Sequence, residues 1–207
     1  MSLRQLHFFS ALAIGTFLVV HLGNHIVGLS GQDTHIAYMA YARHFYRQAI
    51  VEPILLLLLV WQVASGLRLV ARSWSTRSGA IAWLQALSGV YLSLFLCVHI
   101  GAVLSGRTML GLDTDFRFAA AGFHVPPWQW FFTPYYFLAV FCLFAHVGCA
   151  IFWNITDRWA QVRGAALGFF LATGFAAGTS IDLALAGKLF PVDIPQPYRA
   201  TYSGLQR

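Results

Sequence analysis

Apolar residues form five long runs along the chain, separated by shorter polar segments. The runs cover residues 8–29, 51–70, 80–104, 129–153 and 164–186. Each reaches the roughly 20 residues that a helix needs to cross the hydrocarbon core of a bilayer. Because an open sheet would leave backbone groups without hydrogen bonds in lipid, the spans must be helices. The pattern therefore predicts an all-α membrane protein, a five-helix bundle forming one transmembrane domain over residues 1–207.

The polar segments also carry structural signals. Residues 33–48, "DTHIAYMAYARHFYRQ", contain no Gly or Pro and begin with a possible Asp33 or Thr34 cap, which predicts a short interfacial helix. The segment 107–128 ends in "HVPPWQW", where prolines and tryptophans favour a helix start at the interface. The C-terminal tail contains three prolines, so we expect it to be extended rather than helical.

Composition agrees with a membrane protein and excludes other classes. Of the 207 residues, 58% are hydrophobic and only 10% are charged, whereas a soluble domain is usually about 25% charged. The net charge of +6 is spread over helix ends and loops, so nucleic acid is not an expected partner. The three cysteines lie in apolar runs without the spacing of a zinc or iron–sulfur motif.

The distribution of charge predicts the orientation of the chain. We call the side of the membrane that holds the N-terminus side A, and the opposite side side B. The short side A loops carry six arginines and one acid, whereas five acids offset the basic residues of the longer side B loops. The positive-inside rule then favours a cytoplasmic N-terminus.

An internal repeat relates the first and third runs. A shift of 78 residues aligns 6–23, "LHFFSALAIGTFLVVHLG", with 84–101, "LQALSGVYLSLFLCVHIG". Ser, Phe and His recur in both at i, i+7 and i+11, which places them on one helix face. Because the two helices run in the same direction, His21 and His99 lie at the same depth, nearer side B.

Paired imidazoles at one depth on two helices are what axial ligation of a haem iron requires. We therefore predict one haem b per chain, with His21 and His99 as the metal ligands. The alternative is a duplication that kept its histidines for packing, because a membrane histidine can also simply hydrogen-bond a neighbouring helix.

A second depth, closer to side A, shows no such pair. His146 lies on the fourth span, and the second span reaches that depth at Gln62. Since an amide binds haem iron weakly, we expect no second bis-histidine haem there. His146 stays a cofactor-binding candidate, and we expect it to hydrogen-bond Gln62, directly or through water, while Trp61 and Phe144 fill the remaining volume.

The chain resembles the five-helix cytochrome b subunit that anchors succinate dehydrogenases and quinol:fumarate reductases of the two-haem type. The resemblance lies in "SALAIGTFLVVHL", the "GLR" after Gln62, "LQALSGVYLSLFLCVHI" and "PYYFLAVFCLFAHVG", and covers nearly all of the chain. In that family the first and third helices ligate the distal haem, at positions matched by His21 and His99. The second and fourth ligate the proximal haem, at positions matched by Gln62 and His146.

The resemblance implies a haem-binding anchor subunit in a bacterial inner membrane. Such a subunit transfers electrons to or from a lipid-soluble quinone, binds flavoprotein and iron–sulfur subunits, and is not a catalyst alone. Gln62 at a ligand position, seven residues before the first run and short side A loops depart from that pattern. They leave open a stand-alone membrane cytochrome b, or a haem-free descendant, without dehydrogenase subunits.

Four further polar residues are candidates for the same site. Arg43 and Arg47, at i and i+4, are placed to neutralise haem propionates, with ordinary interfacial anchoring as the alternative. His25, one turn beyond His21, is a candidate for a quinone, a propionate, a proton path or an interhelical hydrogen bond. Asp182 in the fifth span is a candidate proton or quinone-site residue, or a paired acid.

Overall fold

The computed structural model describes residues 1–203, which form eight α-helices and no strands. Their bounds are α1 Leu3–Val27, α2 Gln32–Tyr46, α3 Val51–Arg72, α4 Ala80–Thr108, α5 Phe116–Ala120, α6 Gln129–Asn154, α7 Ala160–Leu185 and α8 Gln196–Ser203. Among these residues, five helices are long and apolar enough to cross a membrane: α1, α3, α4, α6 and α7. The predicted all-α membrane fold with five spans is confirmed, and the last four residues of the predicted domain lie outside the described part.

The spans pack unevenly, and cavities remain between α1 and α4. α6 packs along α7 and against α4, while α3 packs against both α1 and α4. A Cβ atom at Gly174 would lie 2.7 Å from Cβ of Phe144, so a glycine lets α7 approach α6 closely, as small residues do in membrane bundles. α1 and α4, which carry the sequence repeat, instead face cavities that lie between them.

The first helix begins five residues earlier than predicted because its N-terminus has a capping box. The Ser2 hydroxyl accepts a hydrogen bond from the Gln5 N–H at 3.3 Å, and the Gln5 side chain accepts one from the Ser2 N–H at 2.9 Å. Two N–H groups that would otherwise lack partners are satisfied in this way. The extension makes His7 part of the membrane-spanning helix.

The predicted short helix after the first span is confirmed as α2, and a buried histidine attaches it to α1. His35 is 1% exposed, and its Nε2 lies 3.1 Å from the Asn24 amide nitrogen, which donates to it. Its ring packs against Phe116 with 5.2 Å between ring centres. A Cβ at Gly28 would lie 2.8 Å from Cδ2 of His35, so a glycine is needed for this close approach.

The expectation of an extended C-terminal tail is wrong for its last part, because residues Gln196–Ser203 form α8. Pro195 precedes the helix and Pro197 lies in its first turn, where a missing N–H costs no intrahelical hydrogen bond. α8 folds back onto the bundle, and the Trp128 indole N–H donates to the Tyr202 carbonyl at 3.3 Å. The tail thereby helps to close the side B end of the interior.

We predict that the stability of the protein decreases as pH falls from about 6.5 to about 4. Burial, followed by the nearby His21 and Arg43, lowers the pKa of His35 to about 4. The unfolded chain takes up a proton below about 6.5 while the folded protein keeps this ring neutral, so acid favours unfolding in that window. His35→Gln keeps an acceptor for Asn24 and removes the titration, which should weaken the pH dependence of thermal unfolding.

The exposed His44 provides the matched control. His44→Gln should leave the pH dependence of unfolding in detergent as it is in the wild-type protein. An equal pH dependence in the wild type and in His35→Gln would contradict the role given to His35.

Candidate cofactor site

Two cavities lie inside the bundle, and three histidines line both. The upper cavity, toward side B, has a volume of about 360 Å³, and the lower cavity, toward side A, about 190 Å³. His21, His25 and His99 contribute to the walls of both. The remaining walls are mainly apolar, which is the usual composition of a small-molecule site with a few oriented polar groups.

His21 and His99 are brought together across this interior, as the repeat predicts. Their ring centres are 6.1 Å apart, and their planes are inclined by 69°. Among the described residues, neither ring has a hydrogen-bond partner. A metal–imidazole bond is about 2 Å long with the ring centre roughly 1 Å behind the nitrogen, so two imidazoles on opposite sides of one metal have centres about 6 Å apart. The observed separation therefore fits bis-imidazole ligation.

The repeat also orients the two rings in the same way. Phe17 stacks on His21 with 5.4 Å between ring centres and 21° between planes. Phe95 stacks on His99 at 5.0 Å and 15°. In each helix a phenylalanine one turn earlier therefore restricts the histidine ring, while leaving its nitrogens unpaired.

Arginines concentrate positive charge at the side B end of the upper cavity. The Arg47 guanidinium lines the cavity and donates to the Thr114 hydroxyl at 2.9 Å. Arg43 pairs with Asp113 at 2.7 Å, and its buried Nε and Nη2 have no hydrogen-bond partner among the described residues. Burial, then the charges of Arg43 and Arg107, lower the pKa of Arg47. Arg47 lines the upper cavity and has donors available for a carboxylate ligand, whereas Arg43 lines neither cavity.

The two other polar candidates have different positions. His25 lies between His21 and His35, with 5.2 Å and 5.0 Å between ring centres. Asp182 is 8% exposed and its Oδ1 has no partner among residues 1–203, but it lines neither cavity. The structure thus brings His25 to the candidate site and leaves Asp182 outside it.

The expected direct hydrogen bond between Gln62 and His146 is not formed. The Gln62 side-chain oxygen accepts from the Ser10 hydroxyl at 2.6 Å, and its amide nitrogen lies 3.1 Å from Nε2 of His7. His146 instead uses Nδ1, which donates to the Gln85 carbonyl at 3.0 Å. Gln62 on α3 is thus hydrogen-bonded to α1, and His146 on α6 is hydrogen-bonded to α4.

The expectation that Trp61 and Phe144 fill the lower cavity is also wrong. Trp61 is 41% exposed on the outer face of α3. Phe144 points toward α7, where its ring centre lies 6.3 Å from that of Phe170. Neither residue lines the lower cavity, which therefore keeps its volume beside His146.

The sequence analysis did not identify His7, which lines the lower cavity together with Gln62 and His146. The predicted first span began one residue after it, so His7 was assigned to the polar N-terminus. A usable signal was its spacing from His21: fourteen residues are close to four helical turns, which places both on one face.

No protein-family model, curated protein or solved structure matches the chain. The function must therefore be argued from the residues of the site. Within residues 1–203, no group of three or more His, Cys, Asp or Glu side chains is placed to hold a metal ion.

Gly89→Ala should destabilise the protein, because the site depends on a glycine beside His146. A Cβ at Gly89 would lie 2.9 Å from Cε1 of His146, a ring already anchored on the Gln85 carbonyl. Overpacking of this kind costs about 1–3 kcal/mol. Gly101→Ala is the matched control, since no heavy atom lies within 4 Å of its Cβ position. Alanine there should be neutral or stabilising, and equal thermal unfolding temperatures for the two variants would contradict the packing described.

Proposed function

We propose that this protein is a membrane cytochrome b that holds a haem b between His21 and His99 and exchanges electrons with a lipid-soluble quinone. The observation that carries the proposal is the 6.1 Å separation of two partly buried, cavity-lining imidazole rings that have no hydrogen-bond partner among the described residues. Haem, when bound, supplies one-electron redox chemistry. Two imidazoles would be the ligands that the protein supplies to its iron.

The remaining residues of the site bind and orient. His21 and His99 would hold the iron, each ring restrained by the phenylalanine one turn before it. Arg47, on the wall of the upper cavity, would hold a propionate through charge-assisted hydrogen bonds, and Arg43, which lines neither cavity but lies close enough to lower the pKa of Arg47, would add positive charge beside it. The apolar walls exclude water and would keep the potential of the iron under the control of nearby charges.

The side B part of the upper cavity is the proposed place of quinone exchange. His25, Tyr46 and Glu52 line it together with apolar side chains. His25 and Tyr46 carry groups that can exchange a proton, as reduction of a quinone ring requires, whereas Glu52 is ion-paired with Arg107. The apolar surface suits the hydrocarbon body of a quinone. The site would lie on the outer side of a bacterial inner membrane, with the N-terminus in the cytoplasm as the charge distribution predicts.

Within this function we propose an anchor subunit of a succinate dehydrogenase- or fumarate reductase-like complex. The resemblance of the helices to that family supports it, and exposed Arg68, Arg72 and Arg158 offer a basic side A surface to flavoprotein and iron–sulfur subunits. A stand-alone cytochrome b is the second candidate. It is favoured by the short side A connections, residues 73–79 and 155–159, which offer little surface for docking.

His21→Ala and His99→Ala should each lower the haem content by one haem per chain. Loss of either imidazole leaves the iron one axial ligand short, and the six-coordinate, low-spin α band of that haem should disappear. The measurement is haem content and the reduced optical spectrum of the purified protein. His44→Ala, which removes an exposed histidine, should leave both unchanged.

Full haem content in both His21→Ala and His99→Ala would refute the assignment. A folded wild-type protein that takes up no haem during expression or reconstitution would refute it as well.

The partner question has a direct test in purification from the native membrane with a mild detergent. An anchor subunit should co-purify with a flavoprotein and an iron–sulfur protein, and quinol should reduce its haem. Isolation of the chain alone, with haem bound and still reducible by quinol, would contradict the anchor proposal in favour of the stand-alone cytochrome.

A further inference from the structure

The chain changes direction sharply at the end of α7, where it forms a Schellman motif. Gly187 has a φ of +68°, a left-handed conformation that glycine adopts at no steric cost. Its N–H donates to the Ala184 carbonyl at 3.1 Å, and the N–H of Lys188 donates to the Leu183 carbonyl at 2.8 Å. The motif ends the fifth span and sets the direction in which the following residues leave it.

Residues 188–203, which we call the C-terminal lid, pack over the side B end of the bundle. Ile194 and Tyr198 of the lid are buried in the cluster that contains Phe116 of α5 and Leu185 of α7. The lid is therefore attached through apolar contacts to two elements that surround the interior.

One side chain of the lid forms part of the wall of the upper cavity. Tyr202 lines that cavity, and its ring centre lies 5.4 Å from that of Phe132 and 5.9 Å from that of Trp128. The Trp128 indole N–H donates to the Tyr202 carbonyl at 3.3 Å. At the other end of the lid, the Asp193 N–H donates to the Gln32 side-chain oxygen on α2 at 3.1 Å. Both ends of the lid are thus hydrogen-bonded to the body of the protein.

The lid can open without unfolding the spans. Its helix, α8, has eight residues, and helices shorter than about 12 residues are marginal in isolation. α8 therefore depends on its docked contacts, and segments held by few contacts open locally at a lower free energy than the core.

The upper cavity also has an opening that faces the membrane. Val98 of α4 and Phe131 of α6 line the cavity, and they are 45% and 48% exposed on the outer surface. Both helices are long and apolar enough to cross a membrane. Since these two side chains belong to the cavity wall and to the outer surface at once, the cavity reaches that surface between α4 and α6.

We propose that the C-terminal lid closes the upper cavity against the solution on side B, so that ligands enter from the bilayer between α4 and α6. Tyr202 is then a residue that determines specificity, because it excludes water-soluble molecules from a cavity that lipid-soluble molecules can reach. The proposal rests on the proposed function only for the identity of the ligand, a lipid-soluble electron carrier. Closure by the lid can be measured without haem or quinone.

The test is the rate at which maleimides label a cysteine placed in the cavity of the full-length protein in lipid nanodiscs. Met39→Cys is the reporter, because Met39 is buried and lines the upper cavity. His44→Cys, at an exposed position of the same helix, is the reference. A sulfonated maleimide reports access from water, and a neutral, membrane-soluble maleimide reports access from the bilayer. Mass spectrometry of the labelled peptide separates the reporter from the three native cysteines.

With the lid intact, the sulfonated reagent should label Met39→Cys more than about tenfold more slowly than His44→Cys, because it reacts only when the lid opens. Adding Tyr202→Ala should raise this rate about tenfold, and adding Trp128→Phe, which removes one hydrogen bond, about fivefold. Trp130→Phe changes an exposed indole close by and should leave the rate unchanged. The neutral reagent should label Met39→Cys at one rate in all of these variants.

The two lid variants are independent, so Trp128→Phe keeps the proposal testable if Tyr202→Ala fails to fold, as judged by size-exclusion chromatography. Labelling by the sulfonated reagent that is equal with and without the lid substitutions would overturn the lid. With the lid intact, a neutral reagent that is no faster than the sulfonated one would overturn the route through the bilayer. A protein without haem that shows the expected labelling would refute the proposed function and leave the lid standing.

Discussion

Lipid offers no hydrogen bonds, so every polar side chain inside a membrane must find its partner within the protein. His35, toward side B, is paired with the Asn24 amide. Toward side A, His7 is paired with Ser65 and Gln62, and His146 with the Gln85 backbone carbonyl. Among the described residues, His21, His25 and His99 have no such partner; the rings of His21 and His99 stack on Phe17 and Phe95, and their centres are 6.1 Å apart with their planes inclined by 69°. An axial bond to a metal is the partner that this geometry supports best, and the proposed function rests on that inference.

The interior is organised around the same constraint. The bundle places α6 tightly along α7 by means of small residues, whereas α1 and α4 face cavities between them. Because His21, His25 and His99 belong to the walls of both cavities, the two spaces meet at the level of the proposed ligands.

Much of the fold could be predicted because burial in a membrane requires long apolar runs. The proximity of His21 and His99 could be predicted because the repeat places both residues at the same depth and on the same face of their helices. His7 was missed because the helix start depends on a capping box at Ser2, which apolar periodicity does not report. The predicted hydrogen-bond partner of Gln62, His146, was wrong for a related reason. Spacing along each helix gives depth and face, but which of two neighbouring helices a side chain contacts depends on the packing order. The helical tail was missed because Pro197 falls in a first turn, where proline is tolerated.

The central claim is that two imidazoles, from α1 and α4, can ligate one iron. Electron paramagnetic resonance of the oxidised, purified protein tests it most directly, since the spectrum reports both the spin state of a haem iron and its axial ligands. The wild type should show a low-spin ferric signal of a haem with two imidazole ligands that is absent from His99→Ala, where any remaining haem of this site becomes high-spin. A wild-type spectrum with only high-spin or no haem iron, or an unchanged low-spin spectrum in His99→Ala, would contradict the claim.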